Sequence, residues 1–146
     1  MSVCTFFGHS DCPDSISPIL EDELINLIKN YSVDTFYVGT HGRFDRIVLG
    51  TLESLSLSFP DISYNVVLAY LPVYGFQNTD YTHSILPDDI ENIHPRFAIS
   101  HRNRWMIDRS DYAVTYVTHS WGGAARFAEL AKRKKLTVIN LADTLF

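Results

Sequence analysis

Cysteine is scarce in this sequence, with only Cys4 and Cys12 among 146 residues. Their spacing lacks the paired pattern of zinc and redox motifs, so we expect two reduced thiols and no cofactor. Long apolar runs are also lacking, because no stretch approaches the roughly 20 residues that span a bilayer. No signal-peptide pattern precedes the first predicted strand. We therefore expect a cytoplasmic protein with no membrane partner.

Positive charge is limited as well, since 12 Lys and Arg stand against 17 Asp and Glu, for a formal net charge of −5. Nucleic-acid binding needs a wide patch of clustered basic residues, so this balance argues against a nucleic-acid partner. The one basic run, residues 132–135, ends a predicted helix, where it complements the helix dipole. The length suits one domain, residues 1–146.

What the sequence does contain is a regular alternation of apolar runs and helical patterns. Strands are predicted at residues 3–7, 35–38, 63–71, 112–117 and 137–141. Helices are predicted after Ser17, from Ile47 to Phe59, at residues 97–109 and at residues 122–134. This order predicts an α/β fold, a Rossmann-like three-layer sandwich with a mostly parallel sheet of about five strands.

The apolar residues of segment 73–96 show neither helical nor strand periodicity, and the segment contains Pro87 and Pro95. This segment is predicted to form a loop insertion. Such a loop is either a lid over a ligand or a structured insertion with one short helix at about residues 88–92.

Glycine and small polar residues follow three of the predicted strands. The first loop contains Gly8, His9 and Ser10, the second Gly39, Thr40, His41 and Gly42, and the third Ser120, Gly122, Gly123 and Ala124. Because the carboxyl ends of parallel strands share one edge of the sheet, these loops are predicted to form a ligand site. The Gly122-Gly123 pair opens a helix, and free N–H groups there suit a phosphate. Alternatively, the pair allows close packing of helix on strand.

An arginine interrupts the apolar face of the helix predicted at residues 97–109. Ile99, Arg102 and Met106 share that face, so Arg102 is predicted to point inward. An inward guanidinium needs an anion. A bound ligand would supply that anion. Alternatively, Arg102 is a snorkelling arginine paired with Asp108 or Asp111.

His9, His41 and His119 each follow a predicted parallel strand. Together with Asp11 or Asp45 they would form the zinc site of a metallohydrolase. Histidines spread over three loops are not a ligand motif, however, and anion-binding turns often contain them. We therefore predict no metal.

Three aromatic residues flank the predicted site: Trp105, Tyr116 and Trp121. We favour core or dimer contacts for them over stacking on a base. Large aromatic side chains are more often buried in a core or an interface than used on a ligand.

Two segments resemble the signatures of a known family. Arg102-Asn103-Arg104-Trp105-Met106 is similar to R-K-x-x-M, and residues 121–129, WGGAARFAE, are similar to P-G-G-x-G-T-x-x-E. These are signatures of the lonely-guy (LOG) proteins, which belong with the DprA-like proteins to the SLOG superfamily of Rossmann-like nucleotide binders. Residues 3–10 also resemble the family's first strand and turn, and residues 37–42 occupy the place of its second glycine loop.

The resemblance implies a nucleotide or phosphoribosyl ligand and a homodimer or higher homo-oligomer, with the helix that contains Trp105 at the twofold interface. It also implies hydrolysis of the N-glycosidic bond of a nucleoside 5′-monophosphate, with Arg102 and Glu129 as the catalytic pair. On spacing alone, Glu129 would instead be a surface residue paired with Arg126 and Arg133.

The chain departs from the family pattern at four positions. Asn103 replaces lysine, Trp121 replaces proline, Ala125 replaces glycine and Arg126 replaces threonine. Arg126 could itself bind a phosphate through its guanidinium fork. The altered turn keeps a second function open, that of a non-catalytic sensor or sequestering protein for an ADP-ribose-like nucleotide signal.

Overall fold

The computed structural model describes residues 1–40, 42–70 and 83–144. Within these residues a parallel six-stranded sheet has the order β4-β3-β2-β1-β5-β6. The strands are β1 (Ser2–Gly8), β2 (Val33–Val38), β3 (Ser63–Val67), β4 (Ser84–Ile85), β5 (Tyr112–Tyr116) and β6 (Thr137–Asn140). The helices are α1 (Ser17–Asn30), α2 (Gly42–Ser58), α3 (Pro95–Asp108) and α4 (Gly123–Arg133). The predicted Rossmann-like α/β sandwich is confirmed.

Both faces of the sheet are covered by helices, which explains the continuous apolar runs of the central strands. Successive residues of a strand point to opposite faces, so Phe6 and Phe7 enter different core clusters. Phe6 packs in the cluster beneath α1 and α2, and Phe7 in the cluster beneath α3 and α4.

The helices follow the apolar spacing of the sequence. Phe44, Val48, Leu52 and Leu55 are the buried residues of α2, at intervals of three and four that form one stripe. That stripe begins before Ile47, so α2 starts at Gly42 and takes in the end of the predicted second glycine loop. Pro18 lies in the first turn of α1, where its missing N–H costs no helical hydrogen bond.

The predicted loop insertion contains regular structure where it is described. β4 pairs with β3 at the edge of the sheet, and a 3-10 helix spans Ile90–Asn92, near the predicted short helix. The strand predicted at residues 63–71 ends at Val67. Residues 71–82 lie outside the described part of the chain, so the lid remains a prediction for them.

Cys4 and Cys12 are free and buried. Burial raises the pKa of both thiols, that of Cys12 to about 11. They are therefore protonated and poorly nucleophilic at neutral pH. Among the described helices, none combines the length and the apolar content that crossing a bilayer would require.

Candidate functional site

A cavity of about 480 Å³ lies at the carboxyl ends of β1, β2 and β5, and we call it the first cavity. The chain runs from β1 outward through β2, β3 and β4, and then returns to the other side of β1 with β5. The gap between the ends of β1 and β5 is therefore the topological switch point, where open parallel sheets bind ligands. Residues from the loops after β1, β2 and β5 line it, as the sequence predicted.

The loops after β1 and β5 are joined through His9. Its backbone N–H donates to the Tyr116 carbonyl at 3.2 Å, and its Nε2 accepts from the Thr118 backbone N–H at 3.0 Å. The side chain is only 7% exposed. Burial lowers the pKa of His9, and the neighbouring His119 lowers it further, while Asp11 opposes the shift. His9 is thus held in the neutral form that its hydrogen bond requires.

Three rings form a stack at the edge of the first cavity. The His9 and His119 centroids are 3.8 Å apart, and the His119 and Trp121 centroids are also 3.8 Å apart. The His119 Nδ1 lies 2.9 Å from the Trp121 carbonyl oxygen, which fixes the middle ring on the backbone of the third loop. We call these residues the ring stack.

The N-terminus of α4 borders the first cavity. Gly122 is its N-cap, with no side-chain cap hydrogen bond, and its φ of 92° favours glycine. Gly123 needs no such explanation, since a Cβ there would meet no atom within 4 Å. Close packing of helix on strand is therefore wrong as a reason for Gly123. The first-turn N–H groups and the positive end of the helix dipole remain available to an anion.

Arg102 is 2% exposed and points inward, as predicted. Its Nε donates to Asn103 Oδ1 at 2.7 Å, and its Nη1 donates to the Val67 carbonyl at 3.0 Å and to Thr40 Oγ1 at 3.3 Å. Burial lowers its pKa, and the carboxylate of Asp45 opposes that shift. The guanidinium thus ties α3 to the ends of β2 and β3 beside the cavity.

Asp108 and Asp111, the two carboxylates that the sequence indicated as alternative partners of Arg102, interact with other groups. Asp108 lies 4.0 Å from Lys134 Nζ, and Asp111 accepts from the Val3 backbone N–H at 3.0 Å.

In the first two loops, close packing requires glycine at three positions. A Cβ on Gly8 would collide with the Phe44 ring, and one on Gly39 would lie 3.0 Å from Asp45 Oδ2 and 3.1 Å from Arg102 Cζ. Gly42 has a φ of 87° and lies against the Cα of Ser10. These glycines let the two loops, α2 and Arg102 approach each other.

The first cavity brings together most of the predicted site residues, and the others lie elsewhere. Its lining includes Gly8, His9, Ser10, Gly39, Arg102, Gly122, Gly123 and Ala124. Ser120, Arg126 and Glu129 instead line a second cavity of about 390 Å³ beside α4. Thr40 is not part of the lining of the first cavity, but its Oγ1 accepts a hydrogen bond from Arg102, which is part of that lining. His41 lies outside the described residues.

Glu129 is exposed and does not share a cavity with Arg102, the other half of the catalytic pair that the resemblance implies. Within residues 1–40, 42–70 and 83–144 it forms no salt bridge, so the predicted surface pairs with Arg126 and Arg133 are absent. The guanidinium of Arg126 lies over the Phe127 ring, 5.3 Å from its centroid.

The sequence analysis did not predict that Asn103 and Asp45 would lie beside the Arg102 guanidinium. Asn103 orients the Arg102 guanidinium, and Asp45 lies near it at the first turn of α2. The position of Asn103, directly after the inward arginine, was the available signal. The sequence pattern indicated Asp45 only as a candidate partner of the three histidines in a zinc site.

The three aromatic residues have different surroundings. Tyr116 is buried, and Trp105 is half-buried with its ring 5.3 Å from that of Tyr37, so both belong to the core. Trp121 is 69% exposed, so a core position is wrong for it. A glycine pair follows it and its strand has ended, so no apolar layer covers it.

In the described part of the chain, no group of three His, Cys, Asp or Glu side chains is placed to hold a metal ion. Two of the histidines already have a partner for one ring nitrogen, since His9 Nε2 accepts from the Thr118 backbone N–H and His119 Nδ1 lies 2.9 Å from the Trp121 carbonyl oxygen.

No protein-family model matches this chain, and no curated protein matches it in sequence.

Proposed function

We propose that this protein binds a nucleotide or related phosphoribosyl ligand in the first cavity. One observation carries the proposal. The uncapped N-terminus of α4 and the buried guanidinium of Arg102 border the same cavity at the switch point of a parallel sheet. A helix N-terminus at that place provides N–H donors and a positive dipole end for a phosphate group.

The charges around the cavity favour a ligand with one phosphate. Arg102 is the only lysine or arginine among the described lining residues, and Asp11 and Asp45 both contribute carboxylates. A second phosphate group would meet these negative charges. Ribose hydroxyls would donate to them instead. A nucleoside monophosphate or ribose 5-phosphate therefore fits the lining better than a triphosphate.

Hydrolysis of the N-glycosidic bond is the second candidate, and the resemblance of residues 102–106 and 121–129 to the LOG signatures favours it. Its catalytic pair would have to act on one bond from two cavities, since Arg102 lines the first and Glu129 the second. That separation favours binding without hydrolysis. His119 lines both cavities, so a ligand that reaches Glu129 would have to pass this ring.

A panel of ligands tests the proposal. The protein is incubated with adenosine, inosine, guanosine, cytidine and uridine monophosphates, with ribose 5-phosphate, ADP-ribose and ATP, and native mass spectrometry detects intact complexes. We expect a monophosphate complex with no free base, and weaker binding of ATP. If no phosphorylated ligand binds, the proposal is wrong.

Glu129→Ala separates binding from hydrolysis. Excess enzyme is mixed with each monophosphate, and free base is measured by chromatography. If the protein only binds, the wild type releases no base and Glu129→Ala keeps the same affinity. Base released by the wild type but not by Glu129→Ala would establish the hydrolase instead. Glu91→Ala, an exposed glutamate outside both cavities, is the matched control.

The resemblance also implies a homodimer, which we retain as part of the proposal. The chain has a mass of 16.7 kDa, so light scattering distinguishes a monomer from a dimer directly. A mass near that of one chain at all concentrations would contradict it.

A further inference from the structure

Trp121 is a large aromatic side chain held in an exposed position at the edge of the first cavity. It is 69% exposed, yet it is part of the cavity lining. Exposing a large apolar ring to water is unfavourable. Phe6 and Phe7, which also line this cavity, lie in the core, as do Tyr116 and Trp105. Unlike these residues, Trp121 presents its ring at the edge of the cavity.

The ring stack fixes the orientation of Trp121. His119 covers one face of the indole with an interplanar angle of 16°, and its Nδ1 lies 2.9 Å from the Trp121 carbonyl oxygen. His119 rests in turn on His9, at an angle of 14°. His9 is buried and bonded to the Thr118 N–H. Trp121 is thus the outer member of a stack that is anchored at its other end.

We propose that the uncovered face of Trp121 binds a planar aromatic base of the ligand, which becomes the fourth ring of the stack. This inference rests on the proposed function, because it assigns a place to the base of the nucleotide. Gly122 and Gly123 follow Trp121 directly in the chain, so a phosphate at the N-terminus of α4 lies next to the indole. One short segment then contacts both ends of a mononucleotide.

Stacking on Trp121 gives affinity for a base without selecting one. Every nucleobase has a π face, and stacking on an aromatic side chain tolerates all of them. Purines offer the larger face and are expected to bind more tightly than pyrimidines. A ligand that lacks a base gains nothing from Trp121.

The test compares adenosine monophosphate with ribose 5-phosphate, measured by ligand-observed NMR and calorimetry. Trp121→Ala is expected to weaken binding of adenosine monophosphate by about 10- to 100-fold, and to leave ribose 5-phosphate unchanged. Trp121→Phe keeps a stacking ring and should retain most of the affinity. Phe97→Ala removes an exposed aromatic residue outside the cavity and should change neither ligand.

Fluorescence gives an independent readout, because the chain contains only two tryptophans. In Trp105→Phe the remaining emission comes from Trp121, and adenosine monophosphate should quench it while ribose 5-phosphate should not.

Three results would overturn the inference. If Trp121→Ala binds adenosine monophosphate like the wild type, the phosphate site stands and the stacking platform is wrong. If Trp121→Ala loses both ligands equally, the residue has a structural role. If the wild type binds neither ligand, the proposed function fails together with the inference.

Discussion

His9 Nε2 accepts the Thr118 backbone N–H at 3.0 Å, and this bond joins the loop after β1 to the loop after β5 across the switch point. The acceptor is available only while the imidazole is neutral. Protonation would turn Nε2 into a donor that faces another donor. The bond therefore makes the geometry of the first cavity depend on pH.

We predict that the protein loses stability in mild acid through His9. Burial lowers the pKa of His9 below the ordinary value of about 6.5 that it regains on unfolding, so the unfolded chain binds the proton more tightly. The stabilisation is fully present above about pH 6.5 and is lost as the pH falls through the lower folded pKa. Free energies of unfolding from urea titrations between about pH 5 and 8 measure it.

The matched variant is His9→Gln, which keeps a hydrogen-bond acceptor but does not titrate in this range. Its stability should vary less with pH than that of the wild type. His119 and Asp11 also contribute to the shift of the His9 pKa, so His119→Gln should raise that pKa by removing a like charge. Identical pH profiles for the wild type and His9→Gln would contradict the prediction.

Gly123→Asp is predicted to weaken binding of a phosphorylated ligand without harming the fold. A Cβ at Gly123 has open space, and a carboxylate in the first turn of a helix stabilises it by about 0.3–1 kcal/mol. The same carboxylate repels a phosphate and occupies its donors, so affinity should fall by about tenfold or more. Gly123→Ala is the control and should bind normally. Thermal unfolding is measured beside binding, and normal binding by Gly123→Asp would refute the phosphate position.

Arg102→Lys is predicted to lower stability despite keeping the charge. The guanidinium fork donates to Asn103, Val67 and Thr40 together, and one ammonium on a flexible stem cannot reproduce that geometry. Each buried acceptor left unpaired costs about 1–3 kcal/mol. Denaturant unfolding measures the loss. Arg104→Lys, at an exposed position of the same helix, should be neutral, and equal stability of both variants would show that the fork is not needed.

Gly8→Ala is predicted to destabilise the protein by about 1–3 kcal/mol, because the added methyl group collides with the Phe44 ring. Phe44→Leu should relieve the collision, so the double variant should be more stable than the sum of the single effects predicts. Gly50→Ala, in α2 with open space, should instead stabilise by about 0.5–1 kcal/mol. Strict additivity of Gly8→Ala and Phe44→Leu would argue against the contact.

The spacing of apolar residues predicted the sandwich, because each helix and each strand shows in its own sequence which of its side chains are buried. β4 escaped prediction because it has only two residues, Ser84 and Ile85, and owes its existence to pairing with β3. Two residues are too few for a period of two to be recognised.

The sequence also indicated the inward Arg102, since one helix face records which side chains point to the core. It could not indicate that Thr40 and Val67 would meet the guanidinium, because both are far away along the chain. The same limit applies to Glu129. Its spacing from Gly123 is local, but which cavity it lines depends on how α4 lies against β5 and β6.

By itself, the sequence determined the layered α/β fold, the glycine loops at the strand ends and the inward arginine, because each follows from local spacing. The tertiary structure decided what these features face. It placed Gly122, Gly123 and Arg102 around one cavity and Glu129 in the lining of another, and it left Trp121 exposed on His119. The relationships of Arg102 to the glycine pair and to Glu129 join residues distant in the chain, so only the packing of β1, β5, α3 and α4 decides them.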